Sequence, residues 1–97
     1  MYGTGHRASL YIDAMLHDFS DVAAPVAWCD PNGTRMNHYT ALARAAGHSP
    51  VHYRPDQLET MLRRERIDVL IVCSPDHTHA AAVGTALRAG VDVVCEK

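Results

Sequence analysis

The residues from Ile67 to Cys73 place the strongest constraint on the fold of this chain. Almost all of them are β-branched or apolar, and Ser74-Pro75-Asp76 halts the run at once. A short apolar run that ends in turn residues is typical of a β-strand with both faces buried. Such a strand needs helices on both sides of its sheet, and a parallel sheet with crossover helices provides them.

Helical spacing and short apolar runs alternate through the rest of the chain. Ile12, Met15, Leu16 and Phe19 recur at the spacing of one helical face, which predicts a first helix. The predicted elements are a helix over 8–19, a strand over 26–29, a helix from its cap Thr34 to 46, an ambiguous segment over 50–54, a helix from Asp56 with Glu59 in a capping box, a strand over 67–73, a helix over 79–89 and a strand over 91–95.

This alternation predicts a doubly wound α/β fold with a parallel, Rossmann-like sheet. No linker, internal repeat or low-complexity segment interrupts it, so residues 1–97 are predicted to lie in a single domain. Ligands of such sheets bind at the carboxyl ends of the strands. The residues that directly follow each predicted strand are therefore the candidates for function.

Composition and charge narrow the class of partner. The chain has 97 residues and a formal net charge of -2, which gives no electrostatic reason to expect a nucleic acid or an anionic membrane surface. No apolar run approaches the roughly 20 residues that span a bilayer, and the first residues lack the pattern of a signal peptide. We therefore expect a cytoplasmic protein.

The cysteines Cys29, Cys73 and Cys95 are odd in number and widely spaced. This pattern favours reduced thiols over a disulfide framework. Each of them closes an apolar run, so we interpret all of them as small buried hydrophobic residues.

The glycine-rich segment from Gly3 to Ala8 reads Gly-Thr-Gly-His-Arg-Ala, which matches the dinucleotide-binding pattern G-x-G-x-x-G/A. Glycines at the first two marked positions let the backbone turn tightly and approach a pyrophosphate. The helix that follows would stabilise the phosphate charge at its N-terminus. Taken alone, this pattern is a weak indication.

Asp30 strengthens the indication because it ends the next predicted strand, 22 residues after Ala8 (30 minus 8). That is close to the spacing expected for an acid that binds the hydroxyls of a ribose, and an acid there favours NAD. Arg35 lies five residues further on (35 minus 30) and would neutralise a 2′-phosphate, so NADP stays open.

Together these residues resemble the Gfo/Idh/MocA oxidoreductases, named after glucose-fructose oxidoreductase and inositol dehydrogenase. The resemblance covers nearly the whole chain and rests on the glycine loop, on Cys29-Asp30, and on the segments over 67–79 and 86–97. It implies a Rossmann domain that binds NAD(P), followed by an α/β domain that covers a sugar, polyol or related substrate.

The resemblance also implies roles for individual residues. The loop with Gly3, Thr4, Gly5, His6 and Arg7 would wrap the pyrophosphate, and Asp30 would hold the adenosine ribose. Ser74 and Pro75 would lie along the cofactor, beside the loop histidines His77 and His79. Glu96-Lys97 resembles the start of the family's E-K-P motif, in which Lys97 would polarise the substrate hydroxyl or carbonyl as the catalytic residue.

The chain departs from the family pattern at both ends. Only Met1-Tyr2 precede the glycine loop, so the first, central strand is missing and a gap or a rearrangement is expected in the sheet. The substrate domain is also missing. We therefore expect a marginally stable fragment, inactive alone, that meets a small-molecule substrate only together with that domain and that has strand edges open to self-association.

Other functions also fit parts of the sequence. Residues 41–50 resemble the start of a DNA-binding helix-turn-helix module, although Pro55 would soon interrupt a recognition helix. His77-Thr78-His79 could share a metal, but no further ligands are evident from spacing. A non-enzymatic fragment, or an enzyme that uses NAD in redox-assisted glycoside cleavage, also fits the residues.

Overall fold

A computed structural model describes residues 1–95 of the chain. It contains short parallel strands alternating with helices, as the sequence predicts. The strands are β1 (Ala27–Cys29), β2 (Val51–Tyr53), β3 (Val69–Val72) and β4 (Asp92–Cys95), and the α-helices are α1 (Ala8–Leu16), α2 (Gly33–Ala45), α3 (Leu58–Arg64) and α4 (His79–Arg88). Short 3₁₀ turns over Pro55–Gln57 and Asp76–Thr78 lead into α3 and α4.

The described strands form two parallel pairs. In the first pair β1 lies beside β2, with Trp28 opposite His52. In the second pair β3 lies beside β4, with Val72 opposite Cys95. Parallel pairing with a helix between consecutive strands is the crossover arrangement that the sequence pattern predicts.

Tyr2 joins the two pairs, because it forms a parallel bridge to Cys29 on one side and to Val72 on the other. Its N–H donates to the Ile71 carbonyl at 2.8 Å, and its own carbonyl accepts from Cys73 N at 2.8 Å. The strands therefore lie in the order β2, β1, Tyr2, β3, β4. The gap expected at the centre of the sheet is filled, at its carboxyl end, by the first residues of the chain.

The amino end of the gap remains open beneath Met1. A cavity of about 380 Å³ lies there, lined mainly by apolar residues of the β1 and β3 sides such as Val26, Val69 and Ile71. Val26 and Val69 are 41% and 46% exposed. The expectation of a gap is corrected where Tyr2 pairs, and the cavity lies below that pairing.

Apolar side chains cover both faces of the sheet. On one face Ile12 of α1 and Met36 of α2 pack with Trp28. On the other face Met61 of α3 and Ala86 of α4 pack with Leu70. Successive residues of a strand point to opposite faces, which is why neighbours along β1 and β3 divide between the two clusters.

One helix end and two capping interactions differ most from the prediction. Helix α1 ends at Leu16, and Phe19 is 55% exposed within a turn in which its N–H donates to the Ala14 carbonyl. Asn32, not Thr34, caps α2, because its side chain accepts from Arg35 N at 3.1 Å. The predicted capping box also shifts.

In that shifted box the Gln57 side chain, rather than Glu59, accepts from the backbone N–H of Arg54 at 3.0 Å. Glu59 forms an exposed ion pair with Arg63 instead. The 3₁₀ turn that starts at Pro55 places the side-chain oxygen of Gln57 within hydrogen-bond distance of the Arg54 backbone N–H.

The helix-turn-helix alternative is wrong. Helix α2 ends at Ala45, and the residues that would begin a recognition helix form strand β2 beside β1. Val51 N donates to the Val26 carbonyl at 3.1 Å, which ties this segment into the sheet. Within residues 1–95, none of the helices has the length and apolar character needed to cross a membrane.

Candidate functional site

The loops after Tyr2, β1 and β3 meet at the carboxyl edge of the sheet and enclose a cleft of about 340 Å³. Parallel strands end at the same edge, so residues that are far apart in the sequence come together there. The cleft is lined by Gly3, Gly5, His6, Arg7, Asp30, Arg35, Cys73, Ser74, Pro75, Asp76 and His79.

Gly3 brings the glycine loop against the loop that follows β3. Its φ of +95° lies in the left-handed region that side chains disfavour. A Cβ at this position would lie 2.6 Å from the backbone nitrogen of Ser74, so a larger residue would force the two loops apart. Only glycine allows this close approach.

The N-terminus of α1 opens on the same cleft. Helix α1 begins at Ala8, makes no side-chain capping hydrogen bond and has no acidic residue in its first turn. The partial positive charge of a helix N-terminus is therefore not neutralised by its own side chains. Arg7 and His6, both exposed, stand at the same end of the helix. This arrangement suits an anion such as a phosphate.

Asp30 ties the glycine loop to the loop after β1. Its Oδ2 accepts from Thr4 N at 2.7 Å, and its Oδ1 accepts from Asn32 N at 2.7 Å. The residue is only 4% exposed. Each carboxylate oxygen can accept a further hydrogen bond, so the group is able to hold the loop and to meet a hydroxyl at the cleft.

Arg35 lies in the first turn of α2 and lines the same cleft. Its Nη1 lies 3.9 Å from the position that a Cβ on Gly5 would occupy, so the guanidinium is beside the glycine loop. The Asn32 cap fixes the backbone of this turn. A cation therefore lines the cleft together with the carboxylate of Asp30.

The loop after β3 is held by hydrogen bonds between its own residues. The Thr78 hydroxyl donates to the Pro75 carbonyl at 2.7 Å and also contacts the Ser74 hydroxyl. His79 Nε2 lies 2.6 Å from the Ser74 carbonyl. These bonds give the loop a defined shape without help from a ligand.

Most of the predicted site residues that the structure describes lie around this one cleft, while Thr4 and His77 do not line it. Thr4 is buried beneath the loop and 1% exposed, and its hydroxyl oxygen has no hydrogen-bond partner among the described residues. His77 is exposed on the 3₁₀ turn and is not among the residues that line the cleft. Glu96 and Lys97 lie outside the described residues.

Sequence reasoning missed two lining residues, Cys73 and Asp76. The sequence pattern predicts a buried hydrophobic residue at Cys73 and a turn at Asp76. Both immediately flank Ser74-Pro75, so the rule that strand-end residues line the site would have found them.

The described residues contain no group of three or more histidine, cysteine or acidic side chains placed to hold a metal ion. Both ring nitrogens of His79 are engaged, Nε2 with the Ser74 carbonyl at 2.6 Å and Nδ1 with Cys95 Sγ at 3.3 Å. The metal interpretation of the two loop histidines therefore gains no support from this geometry.

A parallel sheet with a glycine loop at its centre and a cleft at its carboxyl edge defines an α/β nucleotide-binding domain. Residues 1–97 match the model of the Gfo/Idh/MocA family, described as an oxidoreductase family with an NAD-binding Rossmann fold. The chain belongs to this family. A nicotinamide dinucleotide is accordingly the class of cofactor that its fold binds.

One relative resembles this chain over most of its length. The D-glucoside 3-dehydrogenase of Escherichia coli strain K12 is 39% identical to it over 72 residues. The match takes in 74% of this chain and 19% of the relative. The chain therefore corresponds to a small part of that enzyme.

Proposed function

We propose that this chain binds NAD(H) in the cleft beside the glycine loop and forms the cofactor-binding part of a sugar or polyol dehydrogenase. The observation that carries the proposal is the close approach of Gly3 to Ser74, which joins two strand-end loops around a cleft of about 340 Å³. The uncapped N-terminus of α1 opens on the same cleft and suits the pyrophosphate.

Asp30 is the basis for proposing NAD over NADP. A carboxylate on the cleft wall accepts hydrogen bonds from ribose hydroxyls and repels a 2′-phosphate. Arg35 acts in the opposite direction, because its guanidinium lines the same cleft and attracts that phosphate. Since Asp30 is held rigidly by Thr4 N and Asn32 N, we give its charge the greater weight.

The nicotinamide supplies a hydride acceptor or donor, and the protein supplies binding and orientation. In this proposal Ser74, Pro75 and His79 line the part of the cleft beyond the pyrophosphate. Lys97 would polarise the reacting hydroxyl, as the family motif implies. The name of the relative favours a glucoside as substrate and oxidation as the reaction, and the matched share of 19% leads us to expect that much of the sugar site lies outside this chain.

Titration of the 97-residue chain with NADH, followed by nicotinamide fluorescence, tests the cofactor site. We expect saturable binding that Gly3→Ala weakens by roughly tenfold or more, since a loss of about 1.4 kcal/mol corresponds to a factor of ten. Gly47→Ala is the matched control: Gly47 has a similar φ of +90°, but no atom lies within 4 Å of its Cβ position. This control separates backbone strain from the lost approach to Ser74.

If neither NADH nor NADPH binds to the folded chain, the proposed cofactor site is wrong. If Gly47→Ala weakens NADH binding as much as Gly3→Ala does, the effect comes from general destabilisation, and the cleft loses its main support.

A parallel titration with NADPH tests the proposed preference for NAD. We expect NADH to bind more tightly, and we expect Arg35→Gln to weaken NADPH binding several-fold while NADH binding stays nearly constant. Arg44→Gln is the control, because Arg44 is exposed on the last turn of the same helix and does not line the cleft. Tighter binding of NADPH by the unmodified chain would overturn the preference.

A further inference from the structure

The cysteines of the chain stand in contrasting environments. Cys29 is fully buried in β1, its thiol contacts the Arg54 carbonyl at 3.3 Å, and burial raises its thiol pKa to about 12. Cys95, the last residue of β4, is exposed. The thiolate is the reactive form of cysteine, so Cys29 is inert, whereas Cys95 is open to reagents from solvent. The interpretation of all the cysteines as buried is therefore wrong for Cys95.

His79 presents a proton acceptor to Cys95. Its Nε2 lies 2.6 Å from the Ser74 carbonyl oxygen, an atom that can only accept, so this nitrogen carries the ring proton. The neutral ring then has its lone pair on Nδ1, which lies 3.3 Å from Cys95 Sγ. The thiol is the donor in this contact, and the imidazole is oriented to receive its proton.

The surroundings of His79 also hold its ring in this orientation. His79 is the first residue of α4, and its side chain is 16% exposed, so the helix fixes its position. When Nδ1 takes up a proton, Nε2 still donates to Ser74, and the Asp76 carboxylate lies 4.0 Å away. Asp76 is largely solvated and adds little, so the Ser74 carbonyl is the orienting group. A nucleophile, a base and an orienting group together form an activated arrangement.

We propose that Cys95 and His79 form a reactive thiol site that exchanges with small-molecule disulfides. Cys95 Sγ attacks one sulfur of the disulfide, and its proton passes to His79 Nδ1. The new S–S bond forms while the old one breaks, and the bonding pair leaves with the second sulfur. That thiolate takes the proton from Nδ1, which yields a mixed disulfide on Cys95 and one free thiol. Cys95 is oxidised, and the small disulfide is reduced.

The positions of Cys73 and Cys95 in the sheet favour an external disulfide as the partner of Cys95. Cys73 packs with Ile71 and the cluster on the α1 face, whereas Val93 packs with the cluster on the α4 face. Alternation along β4 places Cys95 on the same face as Val93, opposite to that of Cys73. The two thiols lie on different sides of the sheet, so an external disulfide is the partner that Cys95 meets.

Alkylation of the 97-residue chain with iodoacetamide, with each cysteine quantified by peptide mass spectrometry, tests the pairing. Near neutral pH we expect Cys95 to react first and Cys29 to react only after unfolding in urea. His79→Gln keeps an amide that can donate to the Ser74 carbonyl but lacks a basic nitrogen. General-base catalysis commonly contributes about a hundredfold or more to a rate. We therefore expect this variant to slow Cys95 alkylation by at least roughly tenfold.

His77→Gln is the matched control, because His77 is an exposed histidine on the preceding turn, and it is expected to leave the rate unchanged. The unmodified chain provides a test that needs no variant: Cys95 should react faster in the folded chain than in urea, where its contact with His79 is lost. Oxidised glutathione should add one glutathione unit at Cys95, which dithiothreitol removes. Equal rates in folded and unfolded chains, or faster reaction at Cys73, would overturn the proposal.

Discussion

At the scale of the residue, the amino group of Met1 is an ionisable group in an unusual position. It lies buried and donates to the Ala27 carbonyl at 3.0 Å. Burial lowers its pKa from 8.0 to about 6, with the coulombic influences of Cys29 and Cys73 opposing that shift. A charged amine at the centre of the sheet is therefore disfavoured, and the neutral form is the one that suits the folded chain.

This shift predicts a dependence of stability on pH in the 97-residue chain. The unfolded amine holds its proton up to about pH 8, and the folded one releases it above about pH 6, so unfolding takes up protons between these values. Stability is full above about pH 8 and falls as the pH decreases through about 6, by about 2 to 3 kcal/mol in total.

Urea unfolding followed by the emission of Trp28, the single tryptophan, measures this loss at about pH 8.5 and about pH 5.5. Histidines titrate in the same range, so the control is the same chain acetylated on its amino group, for which the cavity beneath Met1 has room. The difference between the two chains isolates the amine. An identical pH dependence in both would show that Met1 does not contribute.

At the scale of the element, the cap of α2 stabilises the first helical turn, from which Arg35 reaches the cleft. Asn32 accepts from Arg35 N at 3.1 Å, whereas the sequence pattern favoured Thr34 in this role. Asn32→Ala should cost about 1 kcal/mol, with a range of about 0.5 to 2, because an N–H of the first turn loses its partner. Thr34→Ala should change the free energy of unfolding much less.

Paired urea curves for these two variants distinguish the caps. The same order should appear in NADPH binding, since loosening the first turn also releases Arg35. A larger loss for Thr34→Ala than for Asn32→Ala would restore the cap that the sequence pattern favoured.

The elements also show what the sequence was able to predict. The apolar runs that became β1 and β3 lie in a sheet with a hydrophobic cluster on each face, and residues that follow them line the cleft, so patterning located both the fold and most of the candidate site. The turns were harder. Asn32, Gln57 and their competitors have similar intrinsic preferences for capping, and only the local geometry selects among them.

The pairing of Tyr2 could not be predicted for a related reason. A single residue carries no periodicity, so nothing in the pattern distinguishes a strand remnant from a disordered end. The backbone hydrogen bonds of Met1 and Gly3 to Cys29, and those of Tyr2 to Ile71 and Cys73, depend on the spacing that the other elements impose. The contact between Cys95 and His79 is equally hidden, because it joins residues 16 positions apart through the register of β4 and α4.

At the scale of the whole molecule, two parallel pairs of strands meet at a narrow junction. The radius of gyration of 12.1 Å is close to the roughly 12.5 Å expected for a folded domain of this length. Between the two pairs, however, the bridges of Tyr2 to Cys29 and Val72 provide the strand pairing, and a cavity of about 380 Å³ lies below them. We therefore retain the prediction of marginal stability for the chain without ligand.

The cofactor should strengthen this junction, because its proposed site is bounded by the glycine loop on one side and by the loop after β3 on the other. A ligand that binds only the folded state adds about 2.7 kcal/mol at about 100 times its dissociation constant. For a domain of this size that corresponds to a rise in melting temperature of roughly 10 to 20 °C. ADP-ribose, which lacks the nicotinamide, should produce a smaller rise, since it leaves the Ser74 side of the cleft without a contact.

Thermal unfolding followed in parallel by Trp28 emission and by far-ultraviolet circular dichroism gives both the midpoint and the cooperativity. Trp28 reports on the β1 side, and the helical signal reports on the whole chain, so separate transitions without ligand that merge in NADH would locate the weakness at the junction. Transitions that coincide at a high temperature without ligand would contradict the predicted marginal stability and would mean that the pairing of Tyr2 is sufficient to unite the sheet.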